Sequence, residues 1–560
     1  MTTYDLKSLN LPKLYGTGLE LFTSLVENPA GRALLIGSLL ENGGIPKLSK
    51  LLIEEAPTLY PLGENDCGPG ASLPAPEYAD FADLPASSVP YPTIRQYAQA
   101  YRRGSATPLT IAEKVFAAVT ASEALETPLR LFIAMQHEDV LAQASASADR
   151  IQAGQTLSIL DGVPVAVKDE INMLPYPTTL GTGFLGKQPA AADSTVAARL
   201  RRAGALLIGK TNMHEIGINP NGSNINHGRV ANPWDVRCDT GGSSSGSSAA
   251  VAAGVCPAAI GADGGGSIRI PATLCGVVGL KPTFGRVSEH GAAPLGWSVA
   301  HLGPIGATVE DVALVYAAIA GPDPAEPLTL RQPSPSLAGW NNPDLHGLRL
   351  GVYPEWNRHS DPQVYAACEA TLAKLVEAGA SVTEITIPEL DAMRIAHAVT
   401  ILAEMAEGMR PYLLRHEKFA PSTRLSLVIG EVVSAHDYLQ AQRMRTRAMQ
   451  IFRQIFKDVD AIITPGTGLA APVVPAQALS KGWSDLGTDT EMMRFIFPGN
   501  LVGLPAITFP AGYTTQGLPV GVQAIGRHWE EALLLRIAYA AEQRTERRQP
   551  GAFFPVLQKI

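Results

Sequence analysis

Cysteine is scarce in this 560-residue chain: five thiols, an odd number, with no C-x-x-C pair. That usage argues against a disulfide framework or a zinc site and makes a reducing compartment the default. Charge is sparse too. Asp, Glu, Lys and Arg supply 17% of the residues, and 44 basic against 52 acidic side chains leave a net charge of −8. A mildly acidic surface argues against nucleic acid as the principal partner. No uninterrupted apolar run reaches the roughly 18 residues of a bilayer span. The start, Met1-Thr-Thr-Tyr-Asp, lacks the basic and apolar stretches of a signal peptide. A cytoplasmic location is the expectation. What is abundant is core and punctuation: 46% hydrophobic residues beside 53 glycines and 44 prolines. At this length about three quarters of the extended surface can be buried, and no internal repeat appears. The combination suits an enzyme with many shaped loops better than a helical scaffold.

Two helical patterns open the chain. Leu14, Leu21, Phe22, Leu25 and Val26 recur at helical spacing until Pro29, and Ala33–Ile36 with Leu39 and Leu40 follow until Gly43-Gly44. Such an amphipathic hairpin packs on its own protein or on a partner subunit; a membrane-surface or substrate-entry role is the alternative. Residues 61–92, rich in Pro, Ala, Ser and Gly, read as a wrapping linker. Beyond residue 110, helix-then-strand alternation recurs. Ser194 caps a helix ending at Gly204 before the strand 205–208, then 249–254 precedes 258–262 and 372–378 precedes 381–387. This is α/β architecture. A Pro-rich loop covers 322–345, helical sequence runs from Ala396 to Phe456, and strands resume at 461–463 and 506–509.

Several motifs match a formula in the wrong setting. Gly204-Ala-Leu-Leu-Ile-Gly-Lys210-Thr211 satisfies the P-loop pattern, but its four central residues have the character of a buried strand, not of a phosphate nest. Gly181-Thr-Gly-Phe-Leu-Gly186 follows prolines where a dinucleotide fingerprint needs a strand. Gly242-Ser-Ser244-Ser-Gly246 matches a nucleophile elbow centred on Ser244, yet nothing singles out His290, His301 or His436 as its partner. The arginine groups 199/201/202 and 443/445/447 read as solvated or ion-paired helix faces.

Two Gly/Ser tracts and one lysine remain. They are Gly241-Gly-Ser243-Ser-Ser-Gly-Ser247, then Gly261-Ala-Asp263-Gly-Gly-Gly266-Ser267-Ile-Arg269, and upstream Gly162-Val-Pro-Val-Ala-Val-Lys168-Asp169. Consecutive glycines let several N–H groups converge on one point, which is how an oxyanion hole is built. A lysine ending an apolar run either snorkels to solvent or, desolvated, becomes a base. Together the three segments resemble the amidase signature family: a lysine in G-V-P-x-x-x-K-D, a Gly-Gly-Ser-Ser tract, and a Gly-rich Asp-x-Gly-Gly-Ser-Ile-Arg run at the family's separation from Ser243 to Ser267. Ser245, Ala262 and Gly264 depart from the general pattern. Those departures are similar to the plant-type fatty acid amide hydrolases, as are Lys168–Thr179, Gly209–Glu215, Tyr438–Gln442, Gly503–Thr508 and Gly517–Gln523.

The resemblance implies an amidase signature fold, a central mixed twisted sheet covered by helices on both faces, with an N-terminal helical hairpin. The division it supports is hairpin 1–60, linker 61–92 and catalytic domain 93–560. It implies a catalytic triad of Lys168, Ser243 and Ser267, with Ser267 as nucleophile and a cis peptide before Ser243. Gly264, Gly265 and Gly266 would form the oxyanion hole together with the N–H of Ser267, and Asp263 and Arg269 a structural ion pair. No metal or cofactor is implied. The implied substrate is a small-molecule amide carrying an acyl chain, of the N-acylethanolamine type. The alternatives are N-acyl homoserine lactones, aryl amides and short-chain amides, and from other classes a P-loop ATPase or a non-catalytic amidase-fold subunit. A homodimer and peripheral membrane contact through the hairpin complete the expectations. The Leu/Met-rich segments 401–405, 413–414 and 492–497 read either as core or as an acyl channel.

Overall fold

The computed structural model describes residues 4–9, 13–65, 68, 70–77, 81, 84–85 and 87–557. Cys67 and parts of the 61–92 segment lie outside the described residues. Eleven strands form one mixed sheet: β1 (Phe132–Ala134), β2 (Pro164–Lys168), β3 (Leu206–Thr211), β4 (Ala258–Ala262), β5 (Val278–Lys281), β6 (Leu302–Gly306), β7 (Arg349–Val352), β8 (Ser381–Glu384), β9 (Ala461–Pro465), β10 (Ala506–Tyr513) and β11 (Pro519–Gly526). Their spatial order is β1-β3-β2-β4-β6-β5-β10-β11-β9-β7-β8. Strand β2 runs parallel to β3 and β4, and β7 parallel to β8 and β9. The strands from β4 to β9 across the middle pair antiparallel. Every residue of β2, β3 and β4 is buried, as expected where helices cover both faces of a parallel segment.

The N-terminal hairpin is α1 (Gly16–Glu27) and α2 (Pro29–Gly43). Asn28 makes the corner: its Oδ1 accepts from Ala30 N at 3.0 Å, and Pro29 stands at the first position of α2, where its missing N–H costs nothing. Leu19 and Val26 of α1 pack on Leu425 and Val428, while Leu21 and Leu34 are 67% and 79% exposed. Next, α3 (Thr195–Arg202) is capped by Ser194, whose Oγ accepts from Ala197 N at 3.1 Å. Helix α4 (Ser245–Ala252) is buried at every position; its Ser, Gly and Ala side chains let it lie close against β4 and against α5 (Arg269–Cys275).

The predicted helical stretch 396–456 is interrupted, because Pro411 and Pro421 cannot continue a ladder. It comprises α6 (Leu390–Met409), a short 3-10 segment (Arg410–Lys418), α7 (Pro421–Glu431) and α8 (Ala435–Asp458). Helices α6 and α8 pack together over a second apolar core that includes Met393, Met444 and Phe452. The arginine groups need a correction. Arg201 pairs with Asp193 at 2.8 Å and Arg447 with Glu55 at 3.0 Å, but Arg199 and Arg445 are buried. Arg199 donates to the carbonyls of Ile319, Gly321 and Pro322. Arg445 donates to the Leu59 carbonyl and, at 2.9 Å, to Ser298 Oγ. A guanidinium with five donors satisfies buried loop carbonyls, which no helical periodicity reveals.

Candidate active site

Strand β2 ends on Lys168, and the neighbouring β4 ends on Ala262, one residue before the Asp263 loop. The 239–244 loop reaches this end of the sheet, where Ser243 meets Lys168. Asp239 Oδ1 accepts from Gly222 N at 3.0 Å and Gly241 N at 2.5 Å, and the Gly242–Ser243 peptide bond is cis. Glycine is required at 242, where a Cβ would lie 2.2 Å from Asn221 O. The two Gly/Ser tracts are bound to each other: Ser244 N donates to Ser267 O at 3.1 Å, while Ser244 Oγ bonds both Ala262 O and Ala262 N at 3.2 Å. Ser244 is thereby buried and committed, so the elbow alternative loses its nucleophile.

Lys168 is buried, with Nζ 2.8 Å from Ser243 Oγ, 3.1 Å from Ala262 O and 3.0 Å from Glu170 Oε2. Burial lowers its pKa, and the Glu170 carboxylate opposes that shift. Glu170 was not recognised from sequence; it stands two residues along from Lys168, within a motif read only for its lysine. Ser267 is 7% exposed, and its hydroxyl makes no hydrogen bond with the described residues. It lines a cavity of about 70 Å³ together with Lys168, Glu170, Ser243, Gly264 and Gly265. The rest of the lining includes an apolar set: Ile216, Ile218, Leu295, Ile401, Met405 and Met493. Of the segments read as core or channel, Ile401, Met405 and Met493 thus face the cavity, whereas Phe495 and Phe497 are core and Leu414 is exposed.

The Asp263 loop is held from within. Asp263 pairs with Arg269 at 3.0 Å and accepts from Gly266 N at 2.7 Å and Ile268 N at 3.1 Å. Burial would raise the Asp263 carboxyl, but the Arg269 guanidinium outweighs it and leaves the group well below the usual carboxylate range. Asn500 and Gln523 complete the cage around Arg269. The Gly266 bond corrects one expectation. Its N–H is turned to Asp263, so Gly266, at φ +107, shapes the loop and is not a free oxyanion donor. The N–H groups of Gly264, Gly265 and Ser267 have no acceptor among the described residues. His397 on α6 was also missed; its Nε2–H donates to Gly264 O at 2.8 Å, and burial lowers its pKa to about 4, so the ring is neutral.

The other motif matches resolve into scaffold. Residues 206–211 are β3, and Lys210 is buried with its Nζ 3.4 Å from the Asp169 carboxylate and its three donors on Asp169 O, Pro177 O and Thr178 Oγ1. Among the described residues no group of three His, Cys, Asp or Glu side chains is arranged to hold a metal, and no helix is long and apolar enough to cross a membrane. The four described cysteines are buried free thiols.

The chain is similar to known proteins over nearly its whole length. The Amidase family model matches residues 113–535. The fatty acid amide hydrolase of Arabidopsis thaliana is 39% identical across 99% of this chain and 96% of its own length, and that of Oryza sativa subsp. indica 40% identical over the same shares. The crystal structure of the peptide amidase PAM superposes with a TM-score of 0.71 at 28% identity, covering 84% of this chain and 99% of that one. With the family model spanning most of its length and relatives at about 40% identity, the chain belongs to the amidase signature family and is a hydrolase of amide C–N bonds.

Proposed function

We propose that the chain hydrolyses fatty acid amides of the N-acylethanolamine type through a Ser267 acyl-enzyme. The observation that carries the mechanism is the 2.8 Å contact between buried Lys168 and Ser243 at a cavity that Ser267 also lines. Neutral Lys168 takes the proton of Ser243, and Ser243 takes that of Ser267 as its Oγ attacks the amide carbon. The oxyanion is held by the N–H groups of Gly264, Gly265 and Ser267. Ser243 then returns a proton to the leaving nitrogen, the C–N bond breaks, and water cleaves the ester to a free acid. Support for the acyl chain comes from the apolar set lining the cavity and from relatives named as fatty acid amide hydrolases over nearly the whole chain. Leu21 and Leu34, exposed on the hairpin, support contact of that unit with a lipid surface.

Labelling by a fluorophosphonate probe and turnover of amides with graded acyl length test the reading together. S267A should abolish labelling and S244A retain it, and a folded K168A enzyme should lose about 10²–10⁴-fold in kcat/KM. Rates should rise with acyl length. Flat or short-chain preference sinks the fatty-amide assignment, and full turnover by K168A sinks the triad.

A further inference from the structure

A small polar side pocket adjoins the cavity, and Glu289, Ala300 and Leu302 line both. Its volume, about 10 Å³, suits a single water-sized group. His301 forms part of its wall and is 4% exposed. The His301 Nδ1 lies 2.8 Å from Val299 O and 3.3 Å from Asp263 O. Carbonyls only accept, so Nδ1 carries the proton and donates. Burial, with Lys281 adding to it, holds this ring well below the ordinary histidine value. The ring is neutral, and Nε2 is a bare acceptor. That atom is buried with no hydrogen-bond partner, an arrangement native structures seldom tolerate without a purpose.

Glu289 offers the complement. Its backbone N–H donates to Glu326 Oε2 at 2.5 Å, but its carboxyl makes no hydrogen bond with the described residues. Burial, and then the charges of Glu326, Glu170 and Glu404, push that carboxyl well above the usual range, which favours the neutral acid, the form that can donate. The segment also lies on the Lys168 side of the cavity: Ala293 N donates to Glu170 O, and Asn172 N to Gly291 O, both at 2.9 Å. In the proposed relay the proton reaches the leaving amine from that side.

We infer that this pocket recognises a hydroxyl on the amine half of the substrate, which donates to His301 Nε2 and accepts from the Glu289 carboxyl. The inference rests on the amide-hydrolase reading and assigns to Glu289 and His301, as specificity-determining residues, the recognition of the headgroup hydroxyl that an ethanolamide carries. Four amides test it: dodecanoyl and acetyl chains, each on ethanolamine and on ethylamine, assayed with the wild type, E289Q and E289L. The wild type should favour the ethanolamide over the ethylamide about tenfold or more in kcat/KM on either chain. E289L should bring that ratio to within about threefold of one, whereas E289Q, which keeps a donor, should retain more of it. A wild-type ratio near one, or a ratio that E289L leaves unchanged with its melting temperature intact, overturns the pocket. If E289L fails to fold, E289Q and the wild-type ratio decide. Loss of chain-length preference with the headgroup ratio intact overturns the fatty-acyl reading alone, and no turnover of any of the four overturns both.

Discussion

At the scale of single residues, the charge beside Lys168 is the feature with the clearest consequence. A base must be neutral to accept the Ser243 proton, yet Glu170 Oε2 at 3.0 Å favours the ammonium. In the proposed relay the lysine is desolvated enough to be a base and paired enough to hold the proton once it arrives. E170Q removes the charge and keeps the shape. Without the carboxylate the Lys168 pKa falls further, so the neutral form persists to lower pH and the acid limb of kcat/KM moves to lower pH. The maximal rate falls, by about tenfold or more, because the ammonium formed in the reaction has lost its counter-charge. A pH–rate profile checks both effects. Reduced activity with an unmoved acid limb would show that Glu170 only fills space. That Lys168, Ser243 and Ser267 meet at one cavity was legible because the tracts carrying them are contiguous and chemically unusual. His397 and Glu289 were not: His397 meets Gly264 across 133 positions, and a histidine in an ordinary helical pattern gives no sign of which loop it will brace.

Among elements, the glycine loop between β4 and α5 depends on its backbone. Gly266 sits at φ +107, and a Cβ there would stand 2.5 Å from Ile496 Cγ2 and 2.6 Å from Ile270 Cδ1. At Gly265 it would meet His397 Cε1 and the terminal methyl of Met493 at 3.1 Å, and at Gly264 its one tight neighbour would be Ile401 Cδ1 at 3.2 Å. G266A should therefore be the most damaging alanine, costing about 1–3 kcal/mol of stability from strain and overpacking. G265A should fall between, and G264A be tolerated best, since a terminal methyl can give way. Melting temperature and kcat/KM for the three variants check this order; a G264A worse than G266A would contradict the loop geometry. A run of glycines predicts several converging N–H groups, and those of Gly264 and Gly265 have no acceptor among the described residues. That the Gly266 N–H is taken by Asp263 was not legible, since a run of three glycines does not show which peptide turns inward.

For the whole molecule, the α/β alternation was readable where helix and strand follow each other, as from Ser194 through β3 and from α4 to β4. The antiparallel middle was not, because β5 at 278–281 pairs with β10 at 506–508 and neither segment carries a local mark of the other. Closure between distant segments also buries acids. Asp489, in the helix Leu486–Met493, is enclosed and hydrogen-bonded at 3.4 Å by Asn221, and Asp239 beneath the Ser243 loop adds like charge. Burial, and secondarily Asp485 and Asp239, raise Asp489 to about 8, against an unfolded value of about 3.9. A carboxyl raised on folding keeps its proton in the folded state over a range where the unfolded chain releases it. Its contribution to stability is therefore full below pH about 4 and is lost progressively as pH climbs toward 8. D489N does not titrate. Its melting temperature relative to wild type should rise between pH 5 and 8, by an amount equivalent to a few kcal/mol, and level off below pH 4, where both side chains are neutral. Scanning calorimetry of the two proteins at fixed scan rate across that range measures the difference directly. A gap independent of pH would mean that Asp489 is ionised in the folded chain, and the closure between residues 221 and 489 would then have to shelter a charge.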